Sequence, residues 1–329
     1  MKEKYKKIAP YDSPEQDWWQ GRNDGFEPCQ LRWWQHIQLR SIEEMLPDFQ
    51  QSPVILGFAS DEGVARNKGR IGSAAGPQYL RKVLSNLPIH NPSVSLYDVG
   101  TINCVGTQLE KAQVRLAQAV QDILEHNGFP ILLGGGHEIL FGHFSGTSKH
   151  FEKKKVGIIN FDAHLDIRKP KNSGISSGTG FYQAAPDPKN QENDFLYLAL
   201  GIQRSGNTAE LFNRVDKLKA EYVLAHDFHL QNLKKIKEQV QNFLVKADVV
   251  CLTLDLDVFS AGIAPGVSAP SAAGILYDYT FQEIMKLLAN NNKVVSLDIA
   301  ELNPKYDIDL QTAKLAAQLI FDWIYWKWN

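Results

Sequence analysis

The chain has 329 residues, 43% hydrophobic and 22% charged, with a formal net charge of −2. That composition is ordinary for a globular protein, and the near-neutral balance leaves no electrostatic footprint for nucleic acid or an anionic membrane surface. Three cysteines without CxxC spacing (Cys29, Cys104, Cys251) argue against a disulfide framework or a thiolate zinc site and point to a reducing, cytoplasmic setting.

The chain opens on MKEKYKKIAP, basic but with no apolar run behind it, so it does not read as a signal peptide. No apolar run approaches the roughly 20 residues needed to cross a bilayer. Residues 1–52 read as an N-terminal extension packing on a single domain over 53–329. Within that domain, short apolar β-rich runs fall at 53–58, 95–99, 131–133, 156–161, 195–200, 222–226, 249–254 and 294–298. Helical stretches at 75–86, 107–126, 138–150, 208–219, 230–245, 278–290 and 309–328 alternate with them. This alternation predicts an α/β fold of three layers, α/β/α, around a mostly parallel sheet of about eight strands. The connection over 168–195, rich in Gly, Ser, Asn and Pro, is long, and long connections at strand ends often carry function. At the C-terminus, Leu315, Leu319 and Trp323 recur at helical spacing, as a face that packs on the sheet.

The chemistry concentrates where apolar runs end. VGIINF at 156–161 leads into Asp162, Ala163, His164, Leu165 and Asp166, and VVCLTL at 249–254 leads into Asp255, Leu256 and Asp257. Alternate residues of an extended segment point the same way, so each string aims its ionisable groups at one side. A third run, ILL at 131–133, opens into three glycines and then His137 and Glu138. In a parallel sheet, ligands bind beyond the carboxyl ends of strands. His137, Asp162, His164, Asp166, Asp255 and Asp257 therefore come together at one rim. Taken singly, each piece reads equally as a helix cap or a turn. Together, four carboxylates and two imidazoles repel one another unless cations sit among them, and two metals suit this many donors better than one. Oxygen donors with some nitrogen favour Mn2+, with Fe2+, Co2+ or Zn2+ as alternatives. Glu301, in SLDIAELNP at 296–304, adds a carboxylate from a fourth strand: a seventh ligand, a helix cap, or a partner for a cationic substrate group. Asp298 lies earlier in that segment and reads as structural.

GGGHE, NFDAHLD, LTLDLDVFSAGIAPGVSAP and DIAELNP resemble the four signatures of the ureohydrolases, the family of arginase, agmatinase and formimidoylglutamase. Four further segments resemble the formimidoylglutamase branch: WWQGRND at 18–24, GFASDEGVARNKGRIGSAAGP at 57–77, SSGTGF at 176–181 and LGIQRSGNT at 200–208. The resemblance implies an arginase-like catalytic domain and two Mn2+ ions per subunit. One ion would be held by His137, Asp162, Asp166 and Asp255, the other by Asp162, His164, Asp255 and Asp257, with Asp162 and Asp255 bridging. It also implies that Asp166 takes part in catalysis by accepting a hydrogen bond from the bridging hydroxide, and that Glu301 faces the substrate cation. Two positions depart from the patterns. Phe181 stands where arginase has a loop histidine, and Gly180 stands where the formimidoylglutamase pattern has proline.

The implied activity is hydrolysis of N-formimidoyl-L-glutamate to L-glutamate and formamide, with agmatine, guanidinobutyrate or arginine as the alternative substrates. A non-enzymatic relative would have no physical reason to keep all six ligand positions. The expected partners are a small-molecule amidine and, as in related enzymes, further copies of the same chain in a homo-oligomer. Formimidoylglutamate carries two carboxylates, for which Arg66, Arg70, Arg168 and Arg204 are the candidate clamps.

Overall fold

The computed structural model describes residues 9–172, 174–185 and 195–329. Residues 1–8 of the N-terminal segment, and 173 and 186–194 of the long connection, lie outside the described residues. In chain order the elements are β1 (Tyr11–Asp12), α1 (Trp33–His36), β2 (Ile37–Leu39), β3 (Pro53–Ala59), α2 (Glu62–Arg66), α3 (Gly76–Leu84) and β4 (Leu96–Asn103). Then come α4 (Leu109–Glu125), β5 (Phe129–Leu133), α5 (Ile139–His150), β6 (Val156–Phe161), α6 (Gly180–Ala184), β7 (Tyr197–Ile202), α7 (Ala209–Lys217) and β8 (Glu221–Leu224). The chain closes with α8 (Leu233–Lys246), β9 (Val249–Asp255), α9 (Tyr279–Ala289), β10 (Val294–Ala300) and α10 (Gln311–Trp328).

Among the described residues ten strands form one sheet in the order β1-β4-β3-β5-β10-β9-β6-β7-β8, with β2 also beside β4. Every pairing is parallel except β1 with β4. The sheet is therefore wider than the eight apolar runs suggest. The added strands come from the N-terminal segment, where β2 lies along Leu96–Asp98 and β1 along Thr101–Ile102 of the same β4 edge. Strands of two and three residues are too short to show a period, so only the edge they pair with reveals them.

Burial on both faces explains why the central strands read as unbroken apolar runs. On one face Ile131, Leu133, Ile159, Phe161, Leu252, Leu254, Leu297 and Ile299 pack with residues of α3, α8, α9 and α10. On the other, Leu132 packs with α4, while Ile158 and Ala199 pack with residues of α5, α6 and α7. In α10, Leu319 and Trp323 are buried in the core as the helical spacing predicts, while Leu315 is only partly buried.

A buried ion pair ties the N-terminal segment to the sheet. Asp98 on β4 receives Arg81 Nε at 2.7 Å and Nη2 at 2.9 Å, the Trp19 indole N–H at 2.7 Å and the Gly100 amide at 3.0 Å. Both charged residues and Trp19 are almost wholly excluded from solvent.

Candidate metal centre

Four adjacent central strands, β5, β10, β9 and β6, end side by side, and each delivers a chemical group at its carboxyl end. After β5 the chain threads between β3 and β10, with Gly134 N on Ile299 O at 2.7 Å and Gly135 N on Phe58 O at 2.8 Å. A Cβ at Gly135 would fall 1.9 Å from the Ser60 carbonyl oxygen, so only glycine passes there. The run of glycines thus lets His137 reach the centre of the rim.

His137 Nδ1 lies 3.1 Å from Asp162 Oδ2, 3.3 Å from Asp166 Oδ2 and 3.1 Å from Asp255 Oδ2. These four residues form one donor group, and Asp162, His164 and Asp257 form a second that shares Asp162. In the second group His164 Nδ1 is 3.0 Å from Asp257 Oδ2 and 3.6 Å from Asp162 Oδ1. Asp255 stands in the first group through Oδ2, while its Oδ1 accepts the Asp257 amide at 2.8 Å. The aspartate strings are held by their own backbone and by Asn207. Asp162 Oδ1 accepts the His164 amide at 2.6 Å, and Asn207 braces Leu165 N and Ala163 O, each at 2.9 Å. Asp166 adopts a left-handed backbone (φ +41°), as does Glu301 (φ +70°), a costly conformation for a side-chain-bearing residue and one that concentrates at functional sites.

The electrostatics show a cluster that demands positive charge. Burial pushes the Asp255 carboxyl well above its usual range, reinforced by the charges of Asp257 and Asp162. Burial likewise lifts Asp257 to about 6, against the pull of His164. The charge of Asp257 is the largest influence holding His164 up at about 12. Burial opposes protonation of His137, but hydrogen bonding to Asp162, Asp166 and Asp255 outweighs it and holds the imidazole well above its ordinary value. Protons on these imidazoles do what a dication would do better.

The donors fit a metal. His137 Nδ1 is buried and faces three carboxylate oxygens at 3.1–3.3 Å, so on giving up its proton to a metal the ring would add one nitrogen donor to an oxygen set. Two donors about 2.1 Å from one octahedral ion stand ~3 Å apart, close to the spacings seen here. Oxygen donors with imidazole and no thiolate suit Mn2+.

Glu301 follows β10, with Oε1 accepting the His137 amide at 2.9 Å and Oε2 buried without a hydrogen-bond partner. Burial, aided by the charge of Glu138, lifts its carboxyl to about 8. Phe181 is buried, stacked on Tyr197 at 4.3 Å and edge-on to His137 at 5.7 Å between ring centroids. The departure from arginase at this position therefore sets a hydrocarbon wall, not an imidazole, beside His137.

Of the four candidate arginines, two are already engaged. Arg66 binds Glu62, Glu110 and the carbonyls of Thr107 and Ile175, and Arg70 binds the carbonyls of Pro265, Val267 and Ser268 beneath the Tyr306 ring. Arg204 is exposed, next to Gly206, which abuts His164. Arg168 keeps a buried Nε without a partner, and its Cδ lies 3.3 Å from the position of a Cβ on Gly178. Beside it Asn67 Nδ2 donates to Ser177 Oγ at 3.2 Å. Asn67, Ser177, Asn207 and Thr253 escaped the sequence reading because polar residues in loops and strands carry no spacing signal of their own.

Among known proteins, the arginase family matches residues 51–325. Formimidoylglutamase from Vibrio parahaemolyticus is 42% identical over 92% of each chain, and that from Clostridium tetani 40% over 94% of each. Among solved structures, Trypanosoma cruzi formiminoglutamase with Mn2+2 superposes with a TM-score of 0.76 at 25% identity, over 86% of this chain and 95% of that one. Bacillus subtilis arginase gives 0.71 at 25%, over 83% and 98%. A parallel sheet whose central strands end in this donor set, and a family match over most of its length, agree: the chain belongs to the arginase family.

Proposed function

We propose that the protein hydrolyses N-formimidoyl-L-glutamate to L-glutamate and formamide at a centre of two Mn2+ ions. The observation that carries this reading is the pair of donor groups sharing Asp162, set among relatives that are formimidoylglutamases at about the same length. His137, Asp162, Asp166 and Asp255 would hold one ion, and Asp162, His164, Asp255 and Asp257 would hold the other. Asp255 would belong to both sets, its Oδ1 being the oxygen that accepts the Asp257 amide. When bound, the ions act as Lewis acids that lower the pKa of water and polarise the amidine.

The chain's own groups do the rest. The unpartnered Oε2 of Glu301 accepts an N–H of the formimidoyl cation and orients its carbon towards the nucleophile. A carboxylate oxygen of Asp166 accepts the proton released as water attacks, and returns it to the leaving glutamate nitrogen. Phe181 and Tyr197 keep bulk water from the His137 side. All these groups belong to one chain. Among the described residues no helix is long and apolar enough to cross a membrane.

Assay of the Mn2+-loaded protein against formimidoylglutamate, agmatine, guanidinobutyrate and arginine tests the reading. Release of glutamate and formamide from the first is expected to exceed turnover of the others by orders of magnitude. Turnover of agmatine or arginine, with formimidoylglutamate untouched, would overturn the substrate.

Arg168 is the carboxylate clamp in this reading, because its buried Nε is free and Ser177 and Asn67 flank it. Lysine cannot offer the same two-pronged donor. Arg168→Lys is expected to raise KM for formimidoylglutamate about 10- to 100-fold, the value of one or two charge-assisted hydrogen bonds. Metal content should not change. An unaltered KM would move carboxylate recognition to Ser177, Asn67 and backbone amides.

A further inference from the structure

A stripe of polar side chains runs through the otherwise apolar contact between α5 and the sheet. His143 and Thr147 lie one turn apart on α5. Facing them are Cys251 and Thr253 of β9 and Ser296 and Asp298 of β10, brought abreast by the register that pairs Ser296 with Cys251 and Asp298 with Thr253. His143, Thr253, Ser296 and Asp298 are wholly excluded from solvent. Apolar residues would fill this space at no desolvation cost, whereas each polar group here must find a partner.

The hydrogen bonds converge on Asp298, which accepts from Thr253 on one side and from His143 on the other. The Thr253 hydroxyl donates its proton to Asp298 Oδ1 at 2.7 Å. Having one proton only, it meets His137 Nε2 at 3.0 Å as an acceptor, so the ring proton of His137 sits on Nε2. Nδ1, which faces Asp162, Asp166 and Asp255, is then the ring nitrogen left to bind a metal. Asp298 is itself pinned, with Oδ2 2.6 Å from His143 Nδ1, while His143 Nε2 meets Ser296 Oγ at 2.6 Å. The chain of contacts thus starts at the metal-facing imidazole and ends in the middle of the sheet.

We infer that Thr253, Asp298 and His143 are positioning residues, a buried relay that fixes the tautomer and ring angle of His137 and thereby sets the affinity of the metal site it shares with Asp162, Asp166 and Asp255. The inference rests on the proposed metal centre. Partners behind a metal-bound imidazole typically contribute 10- to 100-fold in metal affinity.

Competitive chelation of Mn2+ by the purified protein tests it. The wild type should bind two equivalents, and failure to do so would refute the metal centre rather than the relay. Thr253→Val, nearly isosteric, is expected to weaken one of the two ions about 10- to 100-fold while the other is unchanged. Thr253→Ser should restore it. In a His137→Ala background, Thr253→Val should have no further effect on metal affinity, because the relay acts only through that ring. His143→Leu should weaken the same ion by a smaller factor, and is read in the same way if Thr253→Val does not fold. A purely structural stripe would lower the melting temperature and leave both metal affinities alone. That result, or a loss that persists in full in the His137→Ala background, overturns the relay.

Discussion

Replacing Asp162 by alanine is expected to strip both metal ions and lower kcat by roughly 10³-fold or more, since the Lewis acidity lost is worth several kcal/mol. Asp162 is the residue common to both donor groups. Without it the first group keeps His137, Asp166 and Asp255, and the second keeps His164 and Asp257 as its close pair. The fold should survive. In the metal-free protein burial opposes ionisation of Asp162, but hydrogen bonds and charge from His137 and His164 hold its carboxyl well below its usual range, and Oδ1 accepts the His164 amide. The metal-free variant should therefore remain folded but melt below the metal-free wild type. The gain in melting temperature on adding Mn2+, ~2.7 kcal/mol of stabilisation for the wild type at 100 times the dissociation constant, should disappear. Elemental analysis and melting with and without Mn2+ measure both effects. Two tightly held ions in the variant would refute the sharing of Asp162.

The largest effect on stability is expected at Asp98, away from the metal. Asp98→Ala leaves the Arg81 guanidinium buried without its counter-charge, and the Trp19 indole N–H loses its acceptor. Breaking a buried pair from one side costs about 3–5 kcal/mol, because the remaining charge stays desolvated and uncompensated. Denaturant unfolding should show that loss, with the melting temperature falling on the order of 10 °C. The double variant Arg81→Met with Asp98→Leu should lose less than Asp98→Ala alone, since neither residue then leaves a charge behind. β4 is separated from β5 by β3, so the remaining folded protein should still bind two ions. A loss under 1 kcal/mol for Asp98→Ala would mean that water reaches Arg81.

The donor residues were legible before any coordinates because their signal is local. Each aspartate string begins at the end of an apolar strand, and alternation along an extended chain points its carboxylates one way. The glycines before His137 stood out in the sequence, and their physical reason is the close approach of Gly135 to Ser60. The central strands were legible for a related reason: burial on both faces makes them apolar without interruption. Position along the chain also suggested Arg66 and Arg70 as substrate clamps, but the fold commits both to protein partners. Which arginine stays free depends on distant carbonyls and carboxylates whose approach no local pattern encodes.

Hydrophobic period and strand polarity are properties of short segments, and they suffice for the layered α/β class and for the residue types that meet at the rim. Tertiary structure alone decided what lies behind and beside them. β1 and β2 exist as strands only because β4 offers an open edge. Thr253, Asp298 and His143 come from β9, β10 and α5, and they form a line only because one strand register and one helix packing bring them within hydrogen-bond reach of one another and of His137. A hydrogen bond needs its partners within about 3 Å. Spacing along a strand can supply that for neighbours, and only the packing of separate elements can supply it for residues more than a hundred positions apart.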